Sequence, residues 1–274
     1  MAWQLTKNRF RGFLQQKCPP LFRQSYDIQS LGIQTVITAI KRNLPNRCLL
    51  CHQDIEQYAE GKPQTGVCQT CLVAGLYHDE ICLGCGKPIP LLQVYCGHCQ
   101  HIEPMLIIAP CSYHQGLGSL IAGIKYQQQC APLTALAQVL AIRVMDLVAR
   151  GLIDLPQVLI PVPLHRNRLK QRGFNQAWLI ANELSQLLGI PMDDSLLKRI
   201  IDTKAQAGLD GKQRRQNCAD AFELVKEIPY QRVALIDDVV TTGTTANEIA
   251  SLFHGHYVHV QCWCLARAEA PGLL

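Results

Sequence analysis

Residues 233–245 read Val233-Ala234-Leu235-Ile236-Asp237-Asp238-Val239-Val240-Thr241-Thr242-Gly243-Thr244-Thr245, and this stretch decides the fold class. Its first four residues predict a buried strand, at whose end the carboxylates of Asp237 and Asp238 emerge together. Two such carboxylates are unfavourable unless they meet cations or hydroxyl groups, and a sugar diol beside a bound metal ion supplies both. The hydroxyls of 241–245, Gly243 and the N-terminus of a following helix are suited to holding a phosphate group. The stretch therefore predicts a ribose-phosphate site.

The order of this motif, two acids followed by a Thr/Gly loop, separates it from other phosphate-binding loops. It lacks the Gly-Lys-Ser/Thr of P-loop proteins and the Gly-x-Gly-x-x-Gly of dinucleotide-binding folds. It resembles the phosphoribosyl-pyrophosphate signature of type I phosphoribosyltransferases, in which the acidic pair contacts the ribose hydroxyls and the loop holds the 5′-phosphate. The alternative is an Asp-Asp helix cap that follows an ordinary strand.

The composition indicates a globular protein rather than an integral membrane or disordered one. The 274 residues are 48% hydrophobic and 17% charged, and the formal net charge is +5. This modest positive charge suits phosphate-bearing ligands but is low for a protein that coats nucleic acid. Residues 1–13 lack the uninterrupted apolar segment of a secretory signal, and no transmembrane segment is predicted. We therefore expect a cytoplasmic protein.

Hydropathy patterns divide the chain into three predicted parts. Residues 1–47 form an N-terminal extension with one short amphipathic helix, and 48–103 form a cysteine-rich module that would bury little apolar surface without metal. In 104–274, apolar strands alternate with helices, including a long helix after Pro132 and another that begins at Asn175. Such alternation is typical of an α/β domain whose parallel sheet is covered by helices on both faces.

Eight of the 14 cysteines form four Cys-x-x-Cys pairs, separated by spacers of 16, 10 and 10 residues. Such spacing is typical of metal ligation in a reducing compartment, and four thiolates satisfy tetrahedral Zn²⁺. The eight cysteines therefore predict two structural zinc sites, and the spacing is compatible with either sequential or cross-braced pairing of the four Cys-x-x-Cys motifs. The alternative to zinc is ligation of an iron–sulfur cluster. Among the other cysteines, Cys262 and Cys264 are expected to be buried in a strand. The predicted ligands are Cys48, Cys51, Cys68, Cys71, Cys82, Cys85, Cys96 and Cys99.

Further segments extend the resemblance beyond the acidic motif. Together with the cysteine pairs, they make the chain similar over residues 48–267 to the ComF family of competence-associated proteins. These segments are Lys125-Tyr126, Ile160-Pro161-Val162-Pro163-Leu164-His165, the basic residues Arg166, Arg168 and Lys170, Arg172-Gly173-Phe174-Asn175-Gln176, and 203–209 followed by Arg214-Arg215.

The resemblance implies a type I phosphoribosyltransferase-like parallel sheet, flanked by helices and preceded by a small double zinc ribbon. Asp237 and Asp238 would be the catalytic pair, close to Mg²⁺, and the loop after them would hold the phosphate of phosphoribosyl pyrophosphate. A mobile basic lid is expected over 199–217. The further substrate-binding residues that the resemblance implies are Leu164, His165 and Arg166 as the pyrophosphate loop, Arg172, and Lys204, Arg214 and Arg215 in the lid.

The resemblance also implies a function, namely transfer of the phosphoribosyl group to an unidentified acceptor in a protein connected with DNA uptake. Its partners would be phosphoribosyl pyrophosphate or another ligand with a ribose 5-phosphate, and single-stranded DNA or the DNA-uptake machinery. The alternative is a non-catalytic zinc-ribbon module that binds a nucleotide or single-stranded DNA. On that interpretation the basic run of the lid contacts DNA. A separate alternative is that this basic run is only a solvated surface.

Overall fold

A computed structural model describes residues 46–55, 64–89, 93–102, 104–202 and 220–268. The amphipathic helix predicted within residues 1–47 lies outside these ranges. The strands are β1 (Glu80–Ile81), β2 (Pro88–Ile89), β3 (Leu106–Ile108), β4 (Cys111–Ser112), β5 (Val158–Pro161), β6 (Leu197–Arg199), β7 (Phe222–Leu224), β8 (Arg232–Val240) and β9 (His259–Arg267). The helices are α1 (Gln69–Ala74), α2 (Gly118–Gln127), α3 (Leu133–Ala149), α4 (Arg166–Arg172), α5 (Gln176–Leu188) and α6 (Thr244–Ser251).

A five-stranded parallel sheet forms the centre of the protein. Its order is β3-β9-β8-β5, and β4 pairs with β9 beyond the end of β3. The register places Val158 of β5 beside Val233 of β8, and Val233 beside Val260 of β9. The carboxyl ends of these three strands therefore point to the same edge of the sheet. The predicted α/β class and parallel sheet are confirmed.

Both faces of the sheet are covered, as predicted. On one face Ala234 and Ile236 of β8 belong to a buried cluster that includes residues of α2, α3 and α5. On the other face Val233 and Leu235 pack with residues of α6 and of the antiparallel hairpin β6–β7. This alternation follows from the period of two in a strand, and it explains why β8 is apolar on both sides.

The two long helices begin and end where the sequence predicts. Helix α3 starts directly after Pro132, and its apolar side chains are buried against α5 and β9. Asn175 caps α5 by accepting a hydrogen bond from the backbone N–H of Ala177, and Gly189 ends it in the left-handed conformation, with φ of 69°. None of the described helices combines the length and apolar character needed to cross a bilayer.

The cysteine-rich region packs directly on the α/β domain. Val67, Leu72 and Leu83 are buried in the same cluster as the core of α3. The Thr65 hydroxyl donates to the carbonyl of Ala131, just before α3. A Cβ on Gly66 would lie 2.6 Å from the nitrogen of Pro132, so this contact needs glycine. The two regions therefore share apolar surface, while the predicted boundaries at 48 and 104 stay predictions.

Candidate functional site

The acidic pair lies within β8 rather than at its end, which corrects the sequence prediction. Strand β8 continues to Val240, because β9 runs beside it and pairs Val240 with Arg267. Asp238 is 8% exposed, and both of its carboxylate oxygens contact Lys125 Nζ, at 3.0 Å and 2.9 Å. Asp237 is partly buried, and its Oδ1 accepts from the backbone N–H of Asp238 at 2.8 Å. One partly buried ammonium group is therefore paired with Asp238, and the carboxyl group of Asp237 is adjacent.

The charges of these three groups are strongly coupled. Burial acts to lower the pKa of Lys125, but the carboxylates of Asp238 and Asp237 outweigh it, so the pKa is raised. Burial, followed by the charge of Asp238, raises the pKa of Asp237 to about 7, although Lys125 opposes this shift. The pair carries more negative potential than one ammonium group neutralises. Hydroxyl donors or a metal cation placed beside it would be stabilised.

The phosphate loop, residues 241–245, joins β8 to α6. Gly243 caps α6 with φ of 76°, and an added Cβ would meet its nearest neighbours only at 3.6 Å. Glycine is therefore required by the backbone conformation rather than by lack of space. The hydroxyls of Thr242 and Thr244 lie 2.6 Å apart. Thr242 is exposed and Thr244 and Thr245 are partly buried, next to the first N–H groups of a helix, which have no partner within it.

Arg267, the last residue of β9, holds the start of the phosphate loop, and the sequence prediction missed it. Its Nη1 donates to the backbone carbonyls of Val240, at 2.9 Å, and of Thr241. Its Nε donates to the carbonyl of Cys85 at 2.6 Å. The arginine is 7% exposed, so carbonyl oxygens take the place of water around its charge.

The predicted pyrophosphate loop is partly helical. Leu164 and His165 follow β5, but Arg166 begins the short helix α4, which His165 caps. The His165 Nδ1 lies 3.2 Å from Asp202 Oδ1, and Asn167 Nδ2 donates to Asp202 Oδ2 at 2.6 Å. Arg166 is exposed. The structure brings these residues to the same sheet edge as the phosphate loop, because β5 and β8 are adjacent and parallel.

A short chain of contacts links α4 to the acidic pair. Arg172 Nη1 donates to Gln176 Oε1 at 3.0 Å, and the buried Gln176 donates from Nε2 to the backbone carbonyl of Lys125 at 3.3 Å. The guanidinium of Arg172 also lies 5.9 Å from the ring centroid of Tyr126, which is 60% exposed. Arg172 is thus linked through Gln176 to the backbone of Lys125, and an exposed aromatic ring lies beside it.

The basic lid falls mainly outside the described residues, which applies to Lys204, Arg214 and Arg215. Its predicted first residue, Arg199, is instead part of β6, where it is 8% exposed and stacks 5.3 Å from the ring centroid of Phe222. The hairpin partner β7 explains this difference, since pairing with Phe222 extends the ordered structure to Arg199.

The eight predicted cysteine ligands form two clusters, each able to hold one metal ion. The first cluster contains Cys48, Cys51, Cys68 and Cys71, and the second contains Cys82, Cys85, Cys96 and Cys99. Within each cluster the sulfur atoms all lie within 4.8 Å of one another. The pairs are therefore grouped sequentially, and the cross-braced alternative does not apply. Four convergent sulfur donors at this separation fit a tetrahedral Zn²⁺ ion.

The thiol pKa values within each cluster are shifted in opposite directions. Burial opposes ionisation of Cys48, but backbone N–H groups of Cys51, Cys68 and Leu50 lower its pKa to about 6. Burial likewise opposes ionisation of Cys96, but hydrogen bonds to its sulfur lower the pKa to about 7. Burial and the neighbouring sulfur atoms raise the pKa values of Cys71 and Cys99. Four thiolates cannot coexist without a cation, and a divalent metal removes this conflict.

Cys262 and Cys264 are fully buried in β9, which confirms their prediction as small apolar residues. Sequence reasoning passed over Arg267 as a contact of the site, and Gln176 entered only within a segment of the family resemblance. Lys125 entered only through the family resemblance. For Arg267, the sequence offered one indication, a basic residue at the end of an apolar strand. For Gln176, nothing in the sequence indicated that its amide would be buried at the start of α5.

Two groups of curated proteins are similar to this chain. Competence protein F of Haemophilus influenzae is 38% identical over 230 residues, covering 81% of this chain and 97% of that protein. DNA utilization protein YhgH of Escherichia coli O157:H7 is 32% identical over 227 residues, covering 82% and 98% respectively. The YhgH protein of Salmonella typhimurium is 31% identical over 229 residues, with the same coverage.

Two other comparisons contribute less. No family model matched the sequence. The crystal structure of adenine phosphoribosyltransferase from Leishmania tarentolae aligns with 53% of this chain and 74% of its own, at 15% identity and a TM-score of 0.29. A TM-score this low supports no conclusion about this chain.

Proposed function

This chain belongs to the ComF family of competence-associated proteins, and from that premise we propose that it binds phosphoribosyl pyrophosphate with Mg²⁺ at the carboxyl edge of its parallel sheet. The relatives' names connect them with competence and DNA utilization, and we extend that role to this chain. Its place of action would be the cytoplasm. Transfer of the phosphoribosyl group to an acceptor is the second part of the proposal.

One observation carries the proposal, namely a buried acidic pair that directly precedes a glycine-capped helix N-terminus. Asp237 and Asp238 place two carboxyl groups beside the single ammonium group of Lys125, which suits a ligand with hydroxyl groups and a metal cation. The phosphate loop offers hydroxyls and helix N–H groups a few residues further on. A ribose 5-phosphate carries hydroxyl groups and a phosphate group on one small molecule.

We assign roles to the remaining residues by the same chemistry. Leu164, His165 and Arg166 would face the pyrophosphate, with Arg172 behind them and Lys204, Arg214 and Arg215 closing from the lid. In transfer, a nitrogen nucleophile of the acceptor forms a bond to C1 of the ribose while the bond to pyrophosphate breaks. Asp237 and Asp238 would orient the diol as positive charge grows on the ring. Mg²⁺, when bound, would neutralise the leaving pyrophosphate.

The two cysteine clusters would hold structural Zn²⁺. Each cluster offers four sulfur donors among the described residues. Four donors fill the tetrahedral coordination of Zn²⁺, so no coordination position is left for a substrate. Because Val67, Leu72 and Leu83 of this region belong to the core of the α/β domain, metal binding would stabilise both parts together.

Isothermal titration of zinc-loaded protein with phosphoribosyl pyrophosphate, with and without Mg²⁺, tests the binding step. We expect Mg²⁺-dependent binding that Asp238→Asn weakens at least tenfold. Asp154→Asn is the matched control, because Asp154 is exposed and lies at the opposite edge of the sheet, where its carbonyl accepts from Gln261. Equal affinity of the two variants, or no binding by the wild type, would rule the proposal out.

Acceptor transfer has its own test, which also addresses the non-catalytic alternative. Pyrophosphate release is measured with bases, amines and oligonucleotides as acceptors, beside Asp238→Asn. The exposed Arg166 and Lys170 on α4 favour the alternative, a nucleic-acid contact without turnover. Binding of an oligonucleotide that weakens steeply with salt and persists in Asp238→Asn, without pyrophosphate release, would support that function instead.

A further inference from the structure

The second cysteine cluster and the phosphate loop share one residue, Arg267. Its Nε donates to the carbonyl of Cys85, a member of the cluster, at 2.6 Å. Its Nη1 lies within hydrogen-bonding distance of the carbonyls of Val240, Thr241 and Ala268. The planar guanidinium is thus fixed between the cysteine knuckle, residues 82–86, and the strand end that begins the phosphate loop.

The knuckle is held against the sheet by a second contact. The backbone N–H of Ile107, in the edge strand β3, donates to the carbonyl of Leu83 at 2.7 Å. A Cβ on Gly86 would lie 2.9 Å from Ile107 Cγ2 and 3.3 Å from Arg267 Cδ, so the knuckle packs closely on both side chains. Ile107 in turn reaches the position where a Cβ on Gly243 would lie, at 3.6 Å. Arg267 therefore joins the knuckle to the loop by hydrogen bonds, and Ile107, which packs on the knuckle, lies close to Gly243.

The first cluster has no comparable connection among the described residues. Its neighbours Thr65 and Gly66 contact residues 131 and 132 at the start of α3, far along the chain from the phosphate loop. A disturbance of the first cluster would therefore reach the core of α3, whereas a disturbance of the second would reach the loop.

We propose that Arg267 is a positioning residue through which metal binding at the second cluster sets the conformation of the phosphate loop. The metal orders Cys85 and its carbonyl, the carbonyl orders the guanidinium, and the guanidinium fixes the carbonyls of Val240 and Thr241. The loop then presents its N–H and hydroxyl groups in one arrangement. Because coupling between two binding sites is reciprocal, a ligand at the loop must also raise the affinity of the second cluster for its metal. This last consequence rests on the proposed function, while the ordering of the loop does not.

Hydrogen–deuterium exchange of the zinc-loaded full chain tests the ordering. We expect the amides of residues 242–246 to exchange about tenfold faster in Cys85→Ser and in Arg267→Lys, because a lysine cannot reach both carbonyl groups that the fork spans. Cys51→Ser, in the first cluster, is the matched control and should leave these amides unchanged. Arg267→Lys keeps all eight cysteines, so it tests the coupling even where Cys85→Ser fails to fold.

A second measurement separates this inference from the proposed function. Competition for zinc with a chelator is measured at equilibrium with and without phosphoribosyl pyrophosphate and Mg²⁺, and we expect the ligand to raise the zinc affinity of the wild type but not of Arg267→Lys. Wild-type loop exchange in Arg267→Lys overturns the inference whatever the ligand does. Faster loop exchange in a protein that never binds the ligand supports the inference and overturns the proposed function.

Discussion

Replacing Lys125 by methionine should destabilise the protein, because it leaves the carboxylate of Asp238 buried without its cation. The two charges lie about 3 Å apart, which corresponds to a gross attraction of about 5–6 kcal/mol at an effective dielectric constant of about 20. Removing one partner of a fully buried pair costs about 3–5 kcal/mol. The side chains of Lys125 and Asp238 keep 23% and 11% exposure, so water recovers part of this cost. We expect a loss of about 2–3 kcal/mol at pH 7.

The assay is thermal and urea unfolding of zinc-loaded Lys125→Met, Asp238→Asn and the double variant. At this chain length the loss corresponds to a fall in Tm of roughly 5–10 °C. The double variant should be more stable than Lys125→Met, since the uncompensated charge is gone, and the coupling energy should reach about 2 kcal/mol. Lys198→Met, at an exposed position of β6, is the control. Additive single effects, or Lys125→Met within about 0.5 kcal/mol of wild type, would refute the reasoning.

Three further predictions follow from local features. Leu140 is fully buried in α3, so Leu140→Ala should cost about 2–5 kcal/mol in urea unfolding, and a loss below about 1 kcal/mol would contradict the described core. Gly243→Ala should cost about 1–2 kcal/mol, because alanine strains at φ of 76°, and unchanged stability would show that the loop adopts another conformation. Burial opposes ionisation of Asp193, but hydrogen bonds from Lys226 and Ser195 outweigh it and lower its pKa. A lowered pKa stabilises the fold above pH 4 and less as the pH falls further. Asp193→Asn should therefore cost about 0.5–1 kcal/mol at pH 7, given that Lys226 is half exposed, and the difference should shrink below pH 4 in urea titrations.

Features with short-range causes were predictable. The eight cysteines that form the two clusters were identified by spacing alone, because a metal site of this kind needs two residues on each tight knuckle. Helix α5 was predicted to within a residue, since Asn175 and Gly189 act on backbone groups a few positions away. The alternation of strands and helices predicted the parallel sheet, because both faces of such a sheet must be apolar.

Features that depend on residues distant in the sequence could not be predicted. The end of β8 was placed too early, because two acids interrupt the apolar run while pairing with β9 continues the strand to Val240. The sequential grouping of the cysteine pairs was left open, because it depends on which knuckles meet in space.

The domain class, the cysteines of the two clusters and the acidic motif with its Thr/Gly loop could be read from the chain, since each depends on patterns among residues close in sequence. The three-dimensional fold was needed to see that Lys125 pairs with Asp238 across 113 positions, and that Arg267 bonds both to Thr241 and to Cys85, which lies 182 positions before Arg267. The physical reason is that buried charges are tolerated only beside specific partners. Chain folding, rather than any local pattern, brings those partners within 3 Å or so of each other.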